Sequence, residues 1–152
     1  IPERFFALEV TESGLLSDMN NARIQLAQLT EAKIAVAIDD FGTGHSSLAY
    51  VKTLPFSTLK IDRAFVLDLE KDTVDRQLAL TITQLAHAVG CNVVAEGIET
   101  AAQADYLRSI GCEAAQGYYY ARPLPADEFY RWCTNWKPHP NLTPATESVN
   151  GA

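Results

Sequence analysis

Short apolar runs alternate along this chain with longer stretches in which apolar residues recur every three or four positions. The runs are rich in Ile, Val and Ala, which is typical of parallel strands that are buried on both faces of a sheet. They predict five strands, over residues 5–9, 34–39, 58–61, 92–96 and 114–118. Since helical stretches separate most of these runs, the pattern predicts an α/β fold with a parallel sheet.

The helical stretches have recognisable starts and stops. The predicted helices run from Ser17 or Asp18 to about Ala32, from Ser46 to Lys52, from Thr73 to Val89, from a cap at Thr100 to Ile110, and from Ala126 to Cys133. In the longest of them Leu78, Ile82, Leu85 and Val89 fall at helical spacing, and Gly90 is placed as its stop. The sequence after residue 136 lacks periodicity, so residues 137–152 are predicted to form a flexible tail.

Each predicted strand has, near or just after its carboxyl end, a polar residue that can bind a metal or a phosphate. These residues are Glu9, Asp39, Asp40, Lys60, Glu96 and Gln116. Parallel strands bring their carboxyl ends to one rim, so the four acids are expected to lie within a few ångströms of one another. Divalent cations compensate carboxylates that are held this close, and hard oxygen ligands suit magnesium, manganese or calcium.

Taken one at a time, these residues have plainer interpretations. A carboxylate at a strand end is usually solvated or caps a helix, a single lysine is usually a surface residue, and Gln116 alone indicates almost nothing. Together they favour a metal-dependent site, in which Lys60 holds a water or stabilises a developing negative charge. Two metal ions about 4 Å apart that hold a water and a phosphate oxygen are a common arrangement for cleaving a phosphodiester.

The segment Asp39–Gly44 resembles two unrelated motifs, and neither fits. It contains the Asp-Phe-Gly triplet of kinases, but no glycine-rich loop or His-Arg-Asp motif accompanies it. Its glycines half-match a dinucleotide fingerprint, but the third glycine is missing and two acids would repel a pyrophosphate. A tight loop beside a metal site fits better.

Several further residues near the predicted rim have two interpretations each. Glu12 and Glu99 follow Glu9 and Glu96 by three positions, and either hold the neighbouring Asp39 loop by hydrogen bonds or are acids that favour helix starts. Arg122 either reaches a phosphate or pairs with an acid. His45 is the only histidine near the predicted loop, and the tyrosines at 118–120 either stack on a base or pack on the wall of the sheet.

Composition narrows the possible partners. The 152 residues carry a net charge of −7 and no basic patch, which argues against a nucleic acid as partner. The three cysteines are widely spaced, so buried thiols in a reducing cytoplasm are expected rather than a zinc site or disulfides. No apolar run is long enough to cross a membrane.

The motifs at these positions resemble those of the EAL domain, a bacterial signalling domain that linearises cyclic di-GMP. They are Leu8–Ser13, Ile38–Gly44, Leu59–Arg63, Val94–Thr100, and Gln116–Tyr118 with Arg122–Pro125, in the order and spacing of that family. The resemblance covers roughly residues 3–133 and begins after the Glu-Ala-Leu motif and a ligand asparagine. It implies a partial TIM (β/α) barrel, with about five parallel strands that correspond to strands four to eight, over residues 1–136.

The resemblance also implies a role for each matching position. Glu9, Asp39, Asp40 and Glu96 match metal ligands, with Lys60, Glu96 and Asp39 at the catalytic centre. Glu12 and Glu99 match acids that stabilise the Asp39 loop, and Gln116, Asp62 and Arg122 are assigned to substrate binding. His45 replaces the usual tyrosine of that loop. The implied cofactors are two divalent cations, Mg²⁺ or Mn²⁺, and the implied product is linear pGpG.

These observations predict a cytoplasmic cyclic di-GMP phosphodiesterase of which this chain is the C-terminal portion. An open sheet of five strands has two exposed edges, so the chain is expected to pair with or swap into a second copy, or to pack against the missing barrel portion. Weak or no activity is expected of the chain alone. A receptor that binds cyclic di-GMP without cleaving it, or a regulatory domain, is the alternative.

Overall fold

Five strands form one parallel sheet in chain order, β1-β2-β3-β4-β5. The structure is a computed structural model and describes residue 2 and residues 6–42 and 50–137. The strands are β1 (Ala7–Thr11), β2 (Ala35–Phe41), β3 (Thr58–Ile61), β4 (Asn92–Ala95) and β5 (Ala114–Ala115). The predicted α/β class, with a parallel sheet of five strands, is therefore confirmed.

The helices follow the predicted order, with one addition. They are α1 (Glu12–Ser17), α2 (Met19–Glu31), α3 (Thr73–Ala88), α4 (Ala101–Ser109) and α5 (Ala126–Asn135). The short helix α1 was not predicted. Asp18 caps α2 by accepting a hydrogen bond from the backbone N–H of Asn21, as the sequence led us to expect.

Two predicted elements differ from the structure in their extent. The strand predicted over 114–118 spans only two residues, because the chain turns over residues 117–120. Residues 46–49 of the helix predicted from Ser46 lie outside the described residues, and residues 50–52 form a turn. Residue 5, the first of the strand predicted over 5–9, is also outside them.

A large part of the core lies on one face of the central strands, where Ile38, Leu59 and Val93 are register partners. Ile38 of β2, Leu59 and Ile61 of β3 and Val93 of β4 are completely buried, as near-continuous apolar runs in a parallel sheet require. Helix α3 turns Ala79, Ile82, Thr83 and Ala86 inward, whereas Leu78 is 39% exposed. Of the four residues at the predicted helical spacing, Ile82 is buried and Leu85 and Val89 are partly buried against the core, so only Leu78 departs from the prediction.

The chain divides into two compact units, residues 1–122 and residues 123–152. The first contains the sheet and α1–α4, and the second contains α5. The predicted boundary near residue 136 and the flexible tail stay predictions, because residues 138–152 lie outside those that the structure describes. Within the described part of the chain, no helix has the length and apolar character needed to cross a bilayer.

Replacement of Leu59 by alanine tests the central strand as the main source of stability. Leu59 is completely buried, so Leu59→Ala should lower the free energy of unfolding by about 2–5 kcal/mol. The control, Ile24→Ala, removes a side chain that is 56% exposed and should change stability by about 0.5 kcal/mol or less. Urea unfolding followed by circular dichroism measures both, and equal effects would contradict the proposed core.

Candidate active site

The ammonium group of Lys60 lies among three carboxylates that come from different strands. Its Nζ atom is 2.7 Å from Glu9 Oε2, 3.2 Å from Asp39 Oδ1 and 2.6 Å from Glu96 Oε1. Glu9 lies on β1, Asp39 on β2, and Glu96 directly follows β4. The sheet thus brings Glu9 and Glu96 to the same lysine, although 87 positions separate them in the sequence.

Strand geometry explains why a lysine side chain is buried here. Side chains alternate along a strand, so Leu59 and Ile61 occupy the face of the sheet opposite Lys60 and anchor β3 in the core. The Lys60 side chain is only 4% exposed, whereas that of Glu9 is 53% exposed. The site is therefore closed at the lysine and open toward solvent at β1.

The carboxylates keep Lys60 charged. Burial alone would lower the pKa of its ammonium group, but hydrogen bonds to Glu9, Glu96 and Asp39 raise that pKa above its usual range. Charge-assisted hydrogen bonds of this kind are stronger than neutral ones. Lys60 is thus a permanent cation at neutral pH, which suits it to stabilise negative charge and makes it unsuitable as a general base.

The two neighbouring aspartates lie where the pairing of β2 with β3 is irregular. The register of the two strands shifts between Ile38 and Phe41, and Asp40 has a φ angle of 55°. Aspartate adopts this left-handed conformation more readily than most residues, and its backbone N–H donates to Asp39 Oδ1 at 3.0 Å. Because of the irregularity, two consecutive acids can both lie at the rim.

Asp62 is close enough to influence this pair. Partial burial and the negative charges of Asp39 and Asp62 raise the pKa of Asp40, and Lys60 opposes that effect. Asp62 itself begins the short 3₁₀ turn over Arg63–Phe65 and accepts a hydrogen bond from the N–H of Ala64 at 2.8 Å. A second group of acids thus lies beside the Lys60 cluster.

Gln116 contacts the same carboxylate that contacts Lys60. Its Nε2 donates to Glu96 Oε1 at 2.6 Å. Its backbone is fixed by a hydrogen bond from its N–H to Ala95 O at 2.8 Å, and the next residue, Gly117, packs directly on Ile98. A Cβ atom at residue 117 would lie 2.1 Å from Ile98 O, so the close approach requires glycine.

Glu12 contacts the start of the loop that follows β2. Its side chain is 1% exposed, and Oε2 accepts a hydrogen bond from the N–H of Gly42 at 2.9 Å. Gly42 has a φ angle of 90°, a conformation that glycine adopts without strain. Burial, followed by the charge of Glu12, raises the pKa of the neighbouring Tyr50 hydroxyl. Glu12 therefore holds the first residue of this loop, where the sequence analysis placed it.

Two predicted residues, Glu99 and Arg122, lie apart from the Lys60 cluster. Glu99 pairs with Arg63 at 2.7 Å rather than with a described residue of the Asp39 loop. The guanidinium of Arg122 stacks 4.3 Å above the ring of Tyr118, which is 56% exposed. His45 and residues 43–49 of the loop lie outside the described residues, so the role of Glu99 toward that segment stays a prediction.

The donor set has the chemistry of a divalent cation site, although its present geometry is centred on a lysine. Carboxylate oxygens and an amide are hard ligands, and three carboxylates face one ammonium, which leaves two negative charges. Among residues 6–42 and 50–137, however, no three acids, histidines or cysteines form a group that is arranged to hold a metal. The described residues therefore fit such an ion by the chemistry of their ligands, and their role as metal ligands stays a prediction.

Sequence reasoning missed Arg63 and Gln103. Gln103 is 3% exposed and completes a reciprocal cap with Thr100, in which each side chain bonds to the other's backbone region. The spacing Thr-x-x-Gln at 100–103 is a known signature of such a capping box and was the available signal. For Arg63, which pairs with Glu99 across 36 positions, no local signal exists.

Replacement of Glu12 tests its hold on the loop. Glu12→Ala removes the acceptor of the Gly42 N–H inside a buried site and should cost about 1–3 kcal/mol of stability. Glu12→Gln retains an acceptor oxygen and should cost less. Urea unfolding and hydrogen exchange of the Gly42 amide measure the difference, with the exposed Glu31→Ala as control. Equal exchange rates in Glu12→Ala and the unchanged chain would contradict this contact.

Comparison with known proteins identifies the family. The family model described as EAL domain matches residues 1–123. The signalling protein YkoW of Bacillus subtilis is 40% identical over 129 residues, which are 85% of this chain and 16% of YkoW. The bifunctional diguanylate cyclase/cyclic di-GMP phosphodiesterase MucR of Pseudomonas aeruginosa is 44% identical over 121 residues, which are 80% of this chain and 18% of MucR.

Solved structures give the same result. A structure described as PaMucR phosphodiesterase in complex with c-di-GMP has a TM-score of 0.81 and 41% identity, and the match covers 85% of this chain and 52% of that one. The manganese and cyclic di-GMP complex of Klebsiella pneumoniae BlrP1 has a TM-score of 0.75 and 29% identity, covering 81% of this chain and 31% of that one. The chain thus spans about half of the MucR structure, or less than a fifth of these curated relatives. It belongs to the EAL domain family and forms part of the α/β barrel of that family.

Proposed function

We propose that this chain supplies the catalytic rim of a phosphodiesterase that hydrolyses cyclic di-GMP to linear pGpG. The observation that carries the proposal is the contact of one buried ammonium, Lys60, with carboxylates from β1, β2 and the end of β4. The similarity to MucR, a protein named for cyclic di-GMP phosphodiesterase activity, supports this substrate.

The proposed reaction transfers a phosphoryl centre from an alcohol to water. The oxygen of a water molecule forms a bond to phosphorus, the bond from phosphorus to the ribose 3′ oxygen breaks, and the ring of the dinucleotide opens. Lys60 stabilises the negative charge that develops on the phosphate oxygens. A carboxylate of Asp39 or Glu96, both of which lie within 3.2 Å of Lys60 Nζ, accepts the proton of the attacking water, and the departing ribose oxygen takes up a proton from solvent to become a hydroxyl group.

Divalent cations are part of the proposal. Glu9, Asp39, Asp40 and Glu96 would hold two ions, Mg²⁺ or Mn²⁺, and the manganese complex of BlrP1 supports this choice by analogy. When bound, such ions polarise the phosphate and lower the pKa of a bound water. The residues of this chain contribute hard oxygen ligands and excess negative charge, which the single ammonium of Lys60 does not neutralise.

Substrate recognition would use the outer part of the rim. Gln116 is exposed and lies against Glu96, Asp62 is half-buried beside Asp40, and Arg122 is exposed beside Tyr118. We assign all three to binding of the dinucleotide. A guanidinium stacked on a tyrosine offers both a positive charge for a phosphate and a flat surface for a base.

A receptor that binds cyclic di-GMP without cleavage is the second candidate. One observation favours it, which is that Lys60 occupies the centre of the three carboxylates while the described residues contain no group of three acids arranged for a metal. Both candidates predict binding of the dinucleotide. They differ in whether the bound molecule is opened.

The hydrolysis assay separates the two candidates. The chain is assayed alone and as a fusion with the N-terminal barrel portion of the MucR EAL domain, using cyclic di-GMP with Mn²⁺ or Mg²⁺ and chromatographic detection of pGpG. We expect turnover by the fusion, loss of turnover with EDTA, and weak or no turnover by the chain alone. Binding of cyclic di-GMP by a folded fusion without formation of pGpG would favour the receptor.

Substitution of Lys60 tests the proposed centre. Lys60→Met in the fusion should lower kcat by about 10²-fold or more, because it removes a preorganised positive charge at the reacting phosphate. Lys71→Met removes an exposed lysine and should leave kcat unchanged. A folded Lys60→Met fusion with normal kcat would place the chemistry elsewhere.

We also propose that the chain associates with itself through the open edge of its sheet. Strand β1 pairs only with β2 among the described residues, and its Leu8 is 43% exposed. An exposed apolar edge strand is a template for pairing with another strand.

Sedimentation measurements test this association. We expect the chain to sediment as a dimer or larger species, and Leu8→Lys to shift it toward the monomer because a charge on an edge strand opposes pairing. The control is Ile24→Lys, at an exposed apolar residue of α2 away from the sheet edge. A monomer at all concentrations would contradict the proposal.

A further inference from the structure

The loop that follows β4 contains Glu96, and its backbone also contacts Gln116. We call residues 96–100 the Glu96 loop. The N–H of Ile98 in this loop donates to Gln116 O at 3.1 Å, and the N–H of Tyr119 donates to Ile98 O at 2.9 Å. The close packing of Gly117 on Ile98 adds to these bonds. A displacement of this loop would therefore move both Glu96 and Gln116.

One buried side chain, Gln103, holds the far end of the Glu96 loop. Its Oε1 accepts hydrogen bonds from the N–H groups of Glu99 at 2.8 Å and Thr100 at 3.1 Å. Its Nε2 donates to Leu67 O at 3.1 Å. With 3% exposure, this amide has little access to water, so loss of these bonds leaves buried groups unpaired.

The bond to Leu67 reaches beyond the helix cap. Leu67 lies in the connection that leaves β3, the strand of Lys60, and leads to α3. Gln103 thus joins the segment after Lys60 to the segment after Glu96, 36 positions apart in the sequence. A cap that served only α4 would need the two bonds to residues 99 and 100 and no bond to Leu67.

Three other contacts join the same segments. At the near end of the loop the N–H of Glu96 donates to Ile61 O at 3.1 Å, and two exposed side-chain contacts lie farther along it. Arg63 pairs with Glu99 at 2.7 Å, with side chains that are 57% and 42% exposed, and Thr100 Oγ1 donates to Glu70 at 2.6 Å in an exposed position. Exposed ion pairs are screened by water and salt and contribute little. Among the described residues, Gln103 is therefore the main buried side-chain connection at the far end of the loop.

We propose that Gln103 is a positioning residue of this active site. The N–H of Glu96 fixes the near end of the loop on Ile61 O, and Gln103 fixes its far end on Leu67. With both ends fixed, the carboxylate of Glu96 stays against the ammonium of Lys60 and Gln116 stays against Glu96. This role rests on the proposed function where it concerns turnover, and on the described contacts where it concerns the loop. Gln103 does not contact Lys60, Glu96 or Gln116 in any described hydrogen bond, so it acts through the backbone of the loop.

Two substitutions separate positioning from helix capping. Gln103→Met retains a similar volume and removes all three hydrogen bonds. Gln103→Glu retains the oxygen acceptor for Glu99 and Thr100 but removes the donor to Leu67, and it places a carboxylate opposite a carbonyl oxygen. The control is Gln77→Met, at an exposed glutamine of α3 that participates in no described side-chain contact.

Hydrogen exchange of the chain measures the loop directly. In Gln103→Met we expect the amides of Ile98 and Glu99 to exchange about tenfold faster or more, because the opening of the loop becomes easier. Gln103→Glu should raise exchange at Ile98 by a smaller factor, and Gln77→Met should leave it unchanged. Unchanged exchange at Ile98 in Gln103→Glu would show that the bond to Leu67 does not stabilise the loop, and it would overturn the proposal.

Kinetics of the fusion used for the hydrolysis assay measure the consequence. We expect Gln103→Met to lower kcat about tenfold with KM within about twofold, since the residue does not contact the substrate. Faster loop exchange with unchanged kcat would overturn the positioning role. If the unsubstituted fusion forms no pGpG, the proposed function fails, and the exchange data still decide whether Gln103 holds the loop. If Gln103→Met does not fold, Gln103→Glu decides by the same two measurements.

Discussion

The burial of a charged lysine among carboxylates is the constraint on which the rest of this structure depends. An ammonium group that is 4% exposed loses most of its hydration, and it is tolerated only because Glu9, Asp39 and Glu96 accept its hydrogen bonds. Those acceptors lie on β1, on β2 and after β4, so the three strands must keep one register. The fully buried Leu59 and Ile61 fix β3 in the core and so help to maintain this register. The packing of β3 in the core and the geometry around Lys60 therefore depend on each other.

The sheet was predictable from the sequence because parallel strands and their helices carry strong periodic signals. The continuous apolar run of β2 and the stop at Gly90 after α3 indicated these elements correctly. The errors have local physical causes. The inner face of α3 includes Ala79 and Ala86 beside the predicted Ile82, and these small residues give a weaker periodic signal than Leu78, which is exposed. The strand predicted over 114–118 ends after two residues because Gly117 packs on Ile98. No pattern in the sequence predicts this contact.

The candidate site was predictable to the extent that it follows from strand ends. Lys60 and Glu96 lie at such ends, and the alignment of parallel strands brings them together without further assumptions. The exceptions are contacts made by loops. Glu99 resembles Glu12 in its spacing from a rim acid, yet Glu12 bonds to Gly42 and Glu99 to Arg63. Only the three-dimensional path of the connections distinguishes the two, and Gln103 was overlooked because its decisive partner is the carbonyl group of Leu67.

Charge balance gives the most direct reason to connect this geometry with metal-dependent chemistry on an anion. One ammonium faces three carboxylates, and Asp40 and Asp62 lie beside them, so the rim is strongly negative. A phosphodiester would be repelled by such a surface unless further positive charge accompanied it. Lys60 cannot supply that charge alone, because the three carboxylates already accept its hydrogen bonds. An EAL domain built on these residues would therefore need divalent cations both to admit the substrate and to free Lys60 to act on it.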